Sequence, residues 1–199
     1  MKELPYFSID GQYGSNQDWF TDFWMNKGGC GAVTACDACL CLALSRNMRQ
    51  LSPVDPETVT KEAFLAFAGV MRPYLSPRPS GINRTKLFID GFSAYLDERC
   101  PGASLSLSSL EGTETWEAAG AAIRAQIDAG LPVPYLMLLH TDKALEDFYW
   151  HWFVLNGYDD ADGRFMVRAF TYGETGWFDL RHLWDTGHEE KGGFVLLGI

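Results

Sequence analysis

The chain has 199 residues, of which 47% are hydrophobic and 21% charged, and this composition excludes a disordered tail, a coiled coil and a collagen-like chain. At ~150 residues per domain, the length indicates a single domain over residues 1–199. The net charge is −10, and because an acidic surface repels phosphate backbones we expect no nucleic-acid partner.

Targeting and redox features predict a cytoplasmic protein without a membrane partner. The N-terminus lacks a basic region followed by an apolar run, and the longest apolar stretches fall well short of the ~20 residues of a membrane span. The five cysteines are an odd number and four of them lie between residues 30 and 41, which makes a poor disulfide framework and indicates reduced thiols. The sequence leaves the oligomeric state open.

The part of the chain from residue 1 to 130 is predicted to be mainly helical. Residues 1–29 form an irregular entry segment, and residues 31–44 form a helix that is apolar nearly all round and hence buried. Apolar residues at helical spacing predict three further helices, and an alternating run predicts a short strand. The helices cover residues 58–71, 82–99 and 113–129, and the strand covers residues 103–107. For the last helix, Thr113 or Thr115 is the cap and Gly130 the end.

Residues 131–199 are predicted to be mainly β-structure. Short apolar or alternating runs are separated there by turn residues. The runs cover residues 132–139, 150–158, 164–170, 176–180 and 193–198. The acidic segment 159–163 predicts a hairpin turn. Because helices cluster early and strands late, the order favours an α+β fold with a mostly antiparallel sheet over a parallel, doubly wound one.

Cys30 is the first candidate for chemistry. It follows Gly28 and Gly29 and directly precedes the apolar helix. Unpaired backbone amides and the dipole at a helix N-terminus stabilise a thiolate, which is the nucleophilic form of cysteine. Flanking glycines also let a substrate backbone approach closely. The alternative is a buried structural cysteine, which is the common state of a free thiol.

A nucleophilic thiolate needs an imidazole partner, and His151 is the favoured candidate. It begins a strand that is predicted to be central, whereas His140 ends the preceding strand. His182 and His188 lie in a polar stretch. A histidine that begins a buried strand is alternatively a satisfied core residue.

Three stretches of the chain carry a resemblance to a known family. They are residues 13–37 (YGSNQDWFTDFWMNKGGCGAVTACD), 129–139 (AGLPVPYLMLL) and 151–167 (HWFVLNGYDDADGRFMV), and together they cover about a quarter of the chain. In this order they resemble the glutamine segment with the nucleophile helix, the strand before the histidine, and the histidine strand of papain-like cysteine peptidases of the bacterial peptidase C39-like group. The resemblance implies a papain-like fold, in which a buried N-terminal helix packs on the sheet.

The resemblance also implies roles for individual residues. Cys30 matches the nucleophile, and His151 matches the general base that forms an ion pair with it. Gln17 matches the glutamine whose amide forms the oxyanion hole with the Cys30 backbone N–H, and Gln12 competes for that role because the spacing varies in this group. The Asn or Asp that orients the histidine in the family is missing, and Thr171 is the nearest polar replacement. A hydroxyl stabilises an imidazolium less than a carboxylate does.

These residues predict a cysteine peptidase or amidohydrolase that cleaves a peptide or small amide through an acyl-enzyme, without a metal or organic cofactor. Acyl transfer to an amine uses the same groups, and the acidic net charge favours neutral or basic substrates. The missing Asn or Asp motivates an alternative, a catalytically impaired papain-like module used for binding or regulation. A metal or redox role for Cys36, Cys39 and Cys41 is disfavoured, because no second Cys or His pair follows at a suitable spacing and thiols inside a helix are not activated.

Overall fold

The computed structural model describes residues 1–199, apart from the side chain of Asp162. Within this description the α-helices are α1 Phe23–Gly28, α2 Cys30–Arg46, α3 Lys61–Met71, α4 Thr85–Arg99, α5 Trp116–Asp128 and α6 Leu180–Trp184. The strands are β1 Lys2–Glu3, β2 Ser8–Ile9, β3 Gln12–Tyr13, β4 Ser106–Glu111, β5 Val133–Met137, β6 His151–Asp159, β7 Met166–Thr171, β8 Glu174–Asp179 and β9 Gly192–Gly198. Short 3₁₀ helices cover Gln17–Trp19, Arg49–Leu51, Lys143–Phe148 and Ala161–Gly163.

Strand β6 lies in the middle of a seven-stranded sheet. The strand order is β4-β9-β5-β6-β7-β8, and β1 adds to the end of β6. The strand pairs described in this sheet are antiparallel, while β2 and β3 form a separate hairpin. The expected α+β class with an antiparallel sheet is therefore confirmed, and the strand that begins with His151 is central.

Helices cover both faces of the sheet, so the side chains of β6 alternate between two core layers. Trp152 and Val154 pack into the layer formed by α2, α3 and α4. Phe153 and Leu155 pack into the layer formed by α5 and α6. The buried α2 thus lies against the central strand, and its first residue comes to the end of β6 where His151 begins.

Local side-chain chemistry explains where the helices begin and end. Thr115 caps α5, as one of the two expected caps, because its side chain accepts the backbone N–H of Ala118. Thr60 caps α3 in the same way, so this helix begins three residues later than expected. Helix α4 also begins later than residue 82, because the Ile82 carbonyl accepts the indole N–H of Trp152 and is held outside the helix.

Two expectations about elements are wrong. Residues 1–29 are not irregular throughout, since they contain three two-residue strands and α1. The strand expected at residues 103–107 lies at Ser106–Glu111, where it pairs with β9 from Ser106↔Gly198 to Glu111↔Gly193. Strands β1 and β4 pair with strands that are distant in the chain, which local alternation does not reveal, whereas β2 and β3 pair with each other. Among the described helices, none combines the length and the apolar character that crossing a membrane requires.

Candidate active site

The chain turns from α1 into α2 at Gly29, which ends the first helix and precedes the second. A Cβ atom at Gly29 would clash with the Met25 carbonyl oxygen, so only glycine fits. A Cβ atom at Gly31 would lie 3.1 Å from Cδ1 of Ile82. Gly28 lines a cavity beside Cys30, whereas the chain itself packs closely against Gly29 and Gly31. Their effect is to fix the position of Cys30.

Cys30 borders a cavity of about 430 Å³, although only 5% of the residue is exposed. Burial raises the pKa of the Cys30 thiol, and the backbone N–H groups of Trp152, Gly31 and Cys30 itself oppose this rise without cancelling it. The amides at the start of α2 thus act in the expected direction, but desolvation outweighs them. Desolvation at this position therefore favours the thiol over the expected thiolate.

The imidazole of His151 is held at the end of β6 by the neighbouring strand β7. Its Nε2 lies 2.7 Å from Oγ1 of Thr171. If Nε2 carries the proton and donates it to this oxygen, Nδ1 is left with the lone pair that a general base needs. The structure therefore places Thr171 in a position to select the tautomer of His151.

Tyr172 is a third member of this group, which the sequence did not predict. Its ring stacks on His151, with centroids 4.6 Å apart and planes at 9°, and its hydroxyl lies 3.3 Å from Nδ1. Tyr172 and Gly173 form the two-residue turn between β7 and β8 and have φ angles of +53° and +76°. Asn, Asp or Gly is the usual residue at the first of these positions. A tyrosine there is a local signal that the position serves another purpose.

The thiol and the imidazole do not contact each other directly. Cys30 belongs to the core layer of α2, whereas the His151 ring lies beside Phe153, which belongs to the other layer. Among the described side chains no hydrogen bond joins Cys30 and His151, and the hydroxyl of Tyr172 occupies Nδ1 instead. Burial lowers the pKa of His151 to about 3, so the imidazole is also neutral near pH 7. The expected thiolate–imidazolium pair is not formed in this arrangement.

Tyr172 connects the two groups electrostatically. Burial raises the pKa of its hydroxyl, and the proximity of Cys30, Asp18 and Asp147 raises it further. Since a negative thiolate would disfavour a phenolate nearby, the Cys30 sulfur lies within electrostatic range of the hydroxyl that caps His151. Thr171 and Tyr172 also line a second cavity, of about 200 Å³.

The two glutamines considered for the oxyanion hole differ in position. The buried Gln17 donates through Nε2 to the Asn26 carbonyl in α1 at 2.7 Å, which leaves its second N–H for another acceptor. Gln12 packs against the turn at Gly173, where an added Cβ would clash with its Oε1. Gln17 is thus anchored to the helix that leads into Cys30, and Gln12 to the turn that carries Tyr172.

The remaining candidates are held in structural roles. Both ring nitrogens of His140 are engaged, by the Asp142 N–H at 2.8 Å and by the His182 carbonyl at 2.9 Å. The other thiols of α2 are fully buried in its core layer: Cys36, Cys39 and Cys41. Burial raises the pKa of each of these thiols. Among the described residues no three His, Cys, Asp or Glu side chains are grouped so that they could hold a metal ion.

Comparison with known proteins adds no assignment to this geometry. No protein-family model matches the chain, and no curated protein matches it. What can be inferred about function therefore depends on the residues around Cys30 and His151 themselves.

Proposed function

We propose that the chain is a papain-like, cysteine-dependent hydrolase that cleaves a peptide or small amide bond, with Cys30 as the nucleophile and His151 as the general base. The observation that supports this most is the 2.7 Å contact between Nε2 of His151 and Oγ1 of Thr171, made next to Tyr172, whose hydroxyl lies within electrostatic range of Cys30. A core histidine needs only satisfied nitrogens. This one is oriented by a side chain at the same place where a nucleophilic residue meets a cavity.

In the proposed reaction, Sγ of Cys30 attacks the carbonyl carbon while the thiol proton moves to Nδ1 of His151. Because both groups are neutral at rest, the proton moves with the attack and not before it. Nε2–H remains on Thr171, which stabilises the imidazolium as it forms. The proton then passes to the leaving amine, and water hydrolyses the thioester with His151 again as the base.

The same reaction requires oxyanion donors and a free Nδ1. The backbone N–H of Cys30 is the first of the helix and has no partner within it, and the second N–H of Gln17 supplies the other donor. The hydroxyl of Tyr172 must leave Nδ1 before His151 can accept a proton. Tyr172 is therefore a positioning residue that stabilises the resting form of the imidazole.

A second candidate function is a papain-like binding or regulatory module with an impaired site. The absent Cys30–His151 contact among the described side chains and the hydroxyl of Tyr172 on Nδ1 both favour it. The two candidates differ in one property, which is whether an acylated Cys30 is hydrolysed faster than an ordinary thioester.

p-Nitrophenyl acetate tests this property. We expect one equivalent of nitrophenolate to be released in a burst, followed by slower turnover. Mass spectrometry should find the acetyl group on Cys30, and Cys30→Ser should abolish both phases. His151→Gln should slow hydrolysis of the thioester by about 10²- to 10⁴-fold, which is the usual contribution of a general base. Thr171→Val should hydrolyse the thioester at a rate between those of wild type and His151→Gln. Thr171→Ser should restore the wild-type rate.

Matched controls come from residues of equal burial. Cys100 is 5% exposed, like Cys30, and His140 is 4% exposed, like His151. Cys100→Ser and His140→Gln should leave both phases unchanged in folded protein. If acetyl-Cys30 persists equally long in wild type and in His151→Gln, the hydrolase proposal fails and the binding module is the better description.

A further inference from the structure

The cavity beside Cys30 has a charge opposite to that of the whole chain. Its charged lining residues are Lys27 and Arg78, and no acidic side chain is among the residues that line it. The chain as a whole has 26 Asp and Glu against 16 Lys and Arg. The charged side chains that line this cavity are therefore positive, although the chain as a whole is acidic.

Neither cation is neutralised by a neighbour. Among the described side chains, Lys27 and Arg78 form no salt bridge, whereas Lys86 and Lys191 in the adjoining cavity pair with Asp90 and Asp185. Both residues of the Cys30 cavity are exposed. Their charges are thus available to a molecule that enters the cavity.

Backbone packing holds the loop of Arg78 beside the nucleophile. A Cβ at Gly28, two residues before Cys30, would lie 3.3 Å from the Arg78 carbonyl oxygen. The same carbonyl accepts the N–H of Gly81 at 2.8 Å, which closes the loop into a turn. The positive end of the helix dipole of α2 adds to the two side-chain charges.

The acidic groups near the site lie in other directions. Asp18 and Asp147 act on the hydroxyl of Tyr172. Three further acidic residues line the adjoining cavity of about 470 Å³, which shares Asn83 with the cavity of Cys30: Glu111, Glu189 and Glu190. The cavity that contains the thiol therefore has only positively charged side chains among its charged lining residues, whereas the adjoining cavity has both signs.

We infer that the substrate of Cys30 carries a carboxylate close to the scissile carbonyl, and that Lys27 and Arg78 bind this carboxylate. The inference rests on the proposed function and specifies its substrate class. A negatively charged substrate is the opposite of the neutral or basic one expected from the net charge. The reason is that a cleft lined by charges of one sign creates its own local field, whatever the total charge of the chain.

The ratio of Cys30 alkylation rates with iodoacetate and iodoacetamide tests the inference. The two reagents differ by one carboxylate, and the same ratio for free cysteine in the same buffer serves as the reference. Labelling is assigned by fragment-ion mass spectrometry, because residues 28–46 contain Cys30 and three other cysteines. We expect the ratio for Cys30 to exceed the reference several-fold at low salt and to approach it at 1 M NaCl.

Charge variants locate the effect. Arg78→Gln and Lys27→Gln should each lower the ratio by about two- to threefold, and Arg78→Glu should lower it further. Arg164→Gln changes the net charge equally but lies beyond the opposite end of β6, and should leave the ratio unchanged. A ratio at or below the reference, or one that the Arg78 and Lys27 variants do not alter, overturns the inference while leaving the hydrolase proposal intact. If Cys30 reacts with neither reagent up to pH 9.5, both the inference and the hydrolase proposal are overturned.

Two sources of the carboxylate are distinguished by bromoacetyl reagents. N-bromoacetyl-glutamic acid α-amide is compared with its glutamine analogue, and N-bromoacetyl-glycine with its amide. A preference for the charged member in the first pair assigns a side-chain carboxylate, and in the second pair a terminal one. A preference in neither pair overturns the inference.

Discussion

Helix α2 and strand β6 carry polar side chains in two regions, at their shared end and in their middle. At the end lie Cys30 and His151. In the middle, Ser15 donates to Oδ2 of Asp37 at 2.9 Å, and Nδ2 of Asn156 donates to the Tyr13 hydroxyl at 2.8 Å. Both regions are buried, and the cavities of about 200 Å³ and 430 Å³ in the described structure border the end region.

Burial has the same effect in both regions and removes charge. It raises the pKa of Asp37 to about 8 and lowers the pKa of His151 to about 3. One oxygen of Asp37 and one of Asn156 have no hydrogen-bond partner in the described structure. A strongly shifted pKa therefore does not by itself mark a site; access to a ligand distinguishes the end from the middle.

Trp152 joins the two regions, and its removal should have the largest effect on stability. Its fully buried ring stacks on Phe88 with centroids 4.3 Å apart, and its indole N–H holds the Ile82 carbonyl. Trp152→Ala should lower the free energy of unfolding by about 3–5 kcal/mol. The exposed Trp150→Ala should lower it by less than about 1 kcal/mol. Urea denaturation of both variants measures this contrast, and equal losses would contradict it.

Asp37 should make the protein less stable as the pH rises. Its folded pKa of about 8 lies above the unfolded value of 3.8, so the folded state binds more protons between these limits. Stability should therefore fall from about pH 4 to about pH 8, with a slope of up to about 1.4 kcal/mol per pH unit. Asp37→Asn lacks this titrating group, so the variant should gain stability relative to wild type as the pH rises across that range. The exposed Asp97→Asn is the control, and a constant difference for Asp37→Asn would contradict the burial argument.

His151 should change the pH dependence of stability in the opposite direction to Asp37, and over a slightly smaller pH range. Its pKa falls from 6.5 to about 3 on folding, so the folded state binds fewer protons between these values. Stability should be complete above about pH 6.5 and decline as the pH falls toward 3. Relative to wild type, His151→Gln should gain stability on acidification, as measured by urea denaturation from pH 4 to pH 7.5. No relative gain would mean that the imidazole is hydrated in the folded protein.

Removing the hydroxyl of Tyr172 should have the smallest effect on stability. Tyr172→Phe keeps the ring on His151 and loses only the 3.3 Å contact to Nδ1, which should cost less than about 1 kcal/mol. Acetylation of Cys30 should become faster, because Nδ1 no longer needs to be vacated. A slower acetylation in the folded variant would show that the hydroxyl relays the proton and does not block the base.

The sequence was informative wherever the signal was local. Alternation and turn residues place the strands of the second half within a few residues of their observed limits, and the threonine before α5 marks its first turn. The apolar helix after Cys30 was visible because its small and apolar residues leave no solvent face. Asp37 was the exception within that helix, and a single acidic residue in an apolar run is the signal that could have drawn attention to it.

The sequence by itself determined the α+β class, the buried helix that starts at Cys30, and the central strand that starts at His151, because all three follow from short-range periodicity and from the residues that end helices and strands. Only the tertiary structure decided which groups meet. It brought Thr171 and Tyr172 to His151 through the register of β6 and β7, and it placed the loop of Arg78 against Gly28. It also decided the protonation states, because desolvation depends on how completely the rest of the chain excludes water from each group. Neither contact across the chain nor burial is encoded in local pattern, and for this reason the charge of the cavity differs from the charge of the sequence.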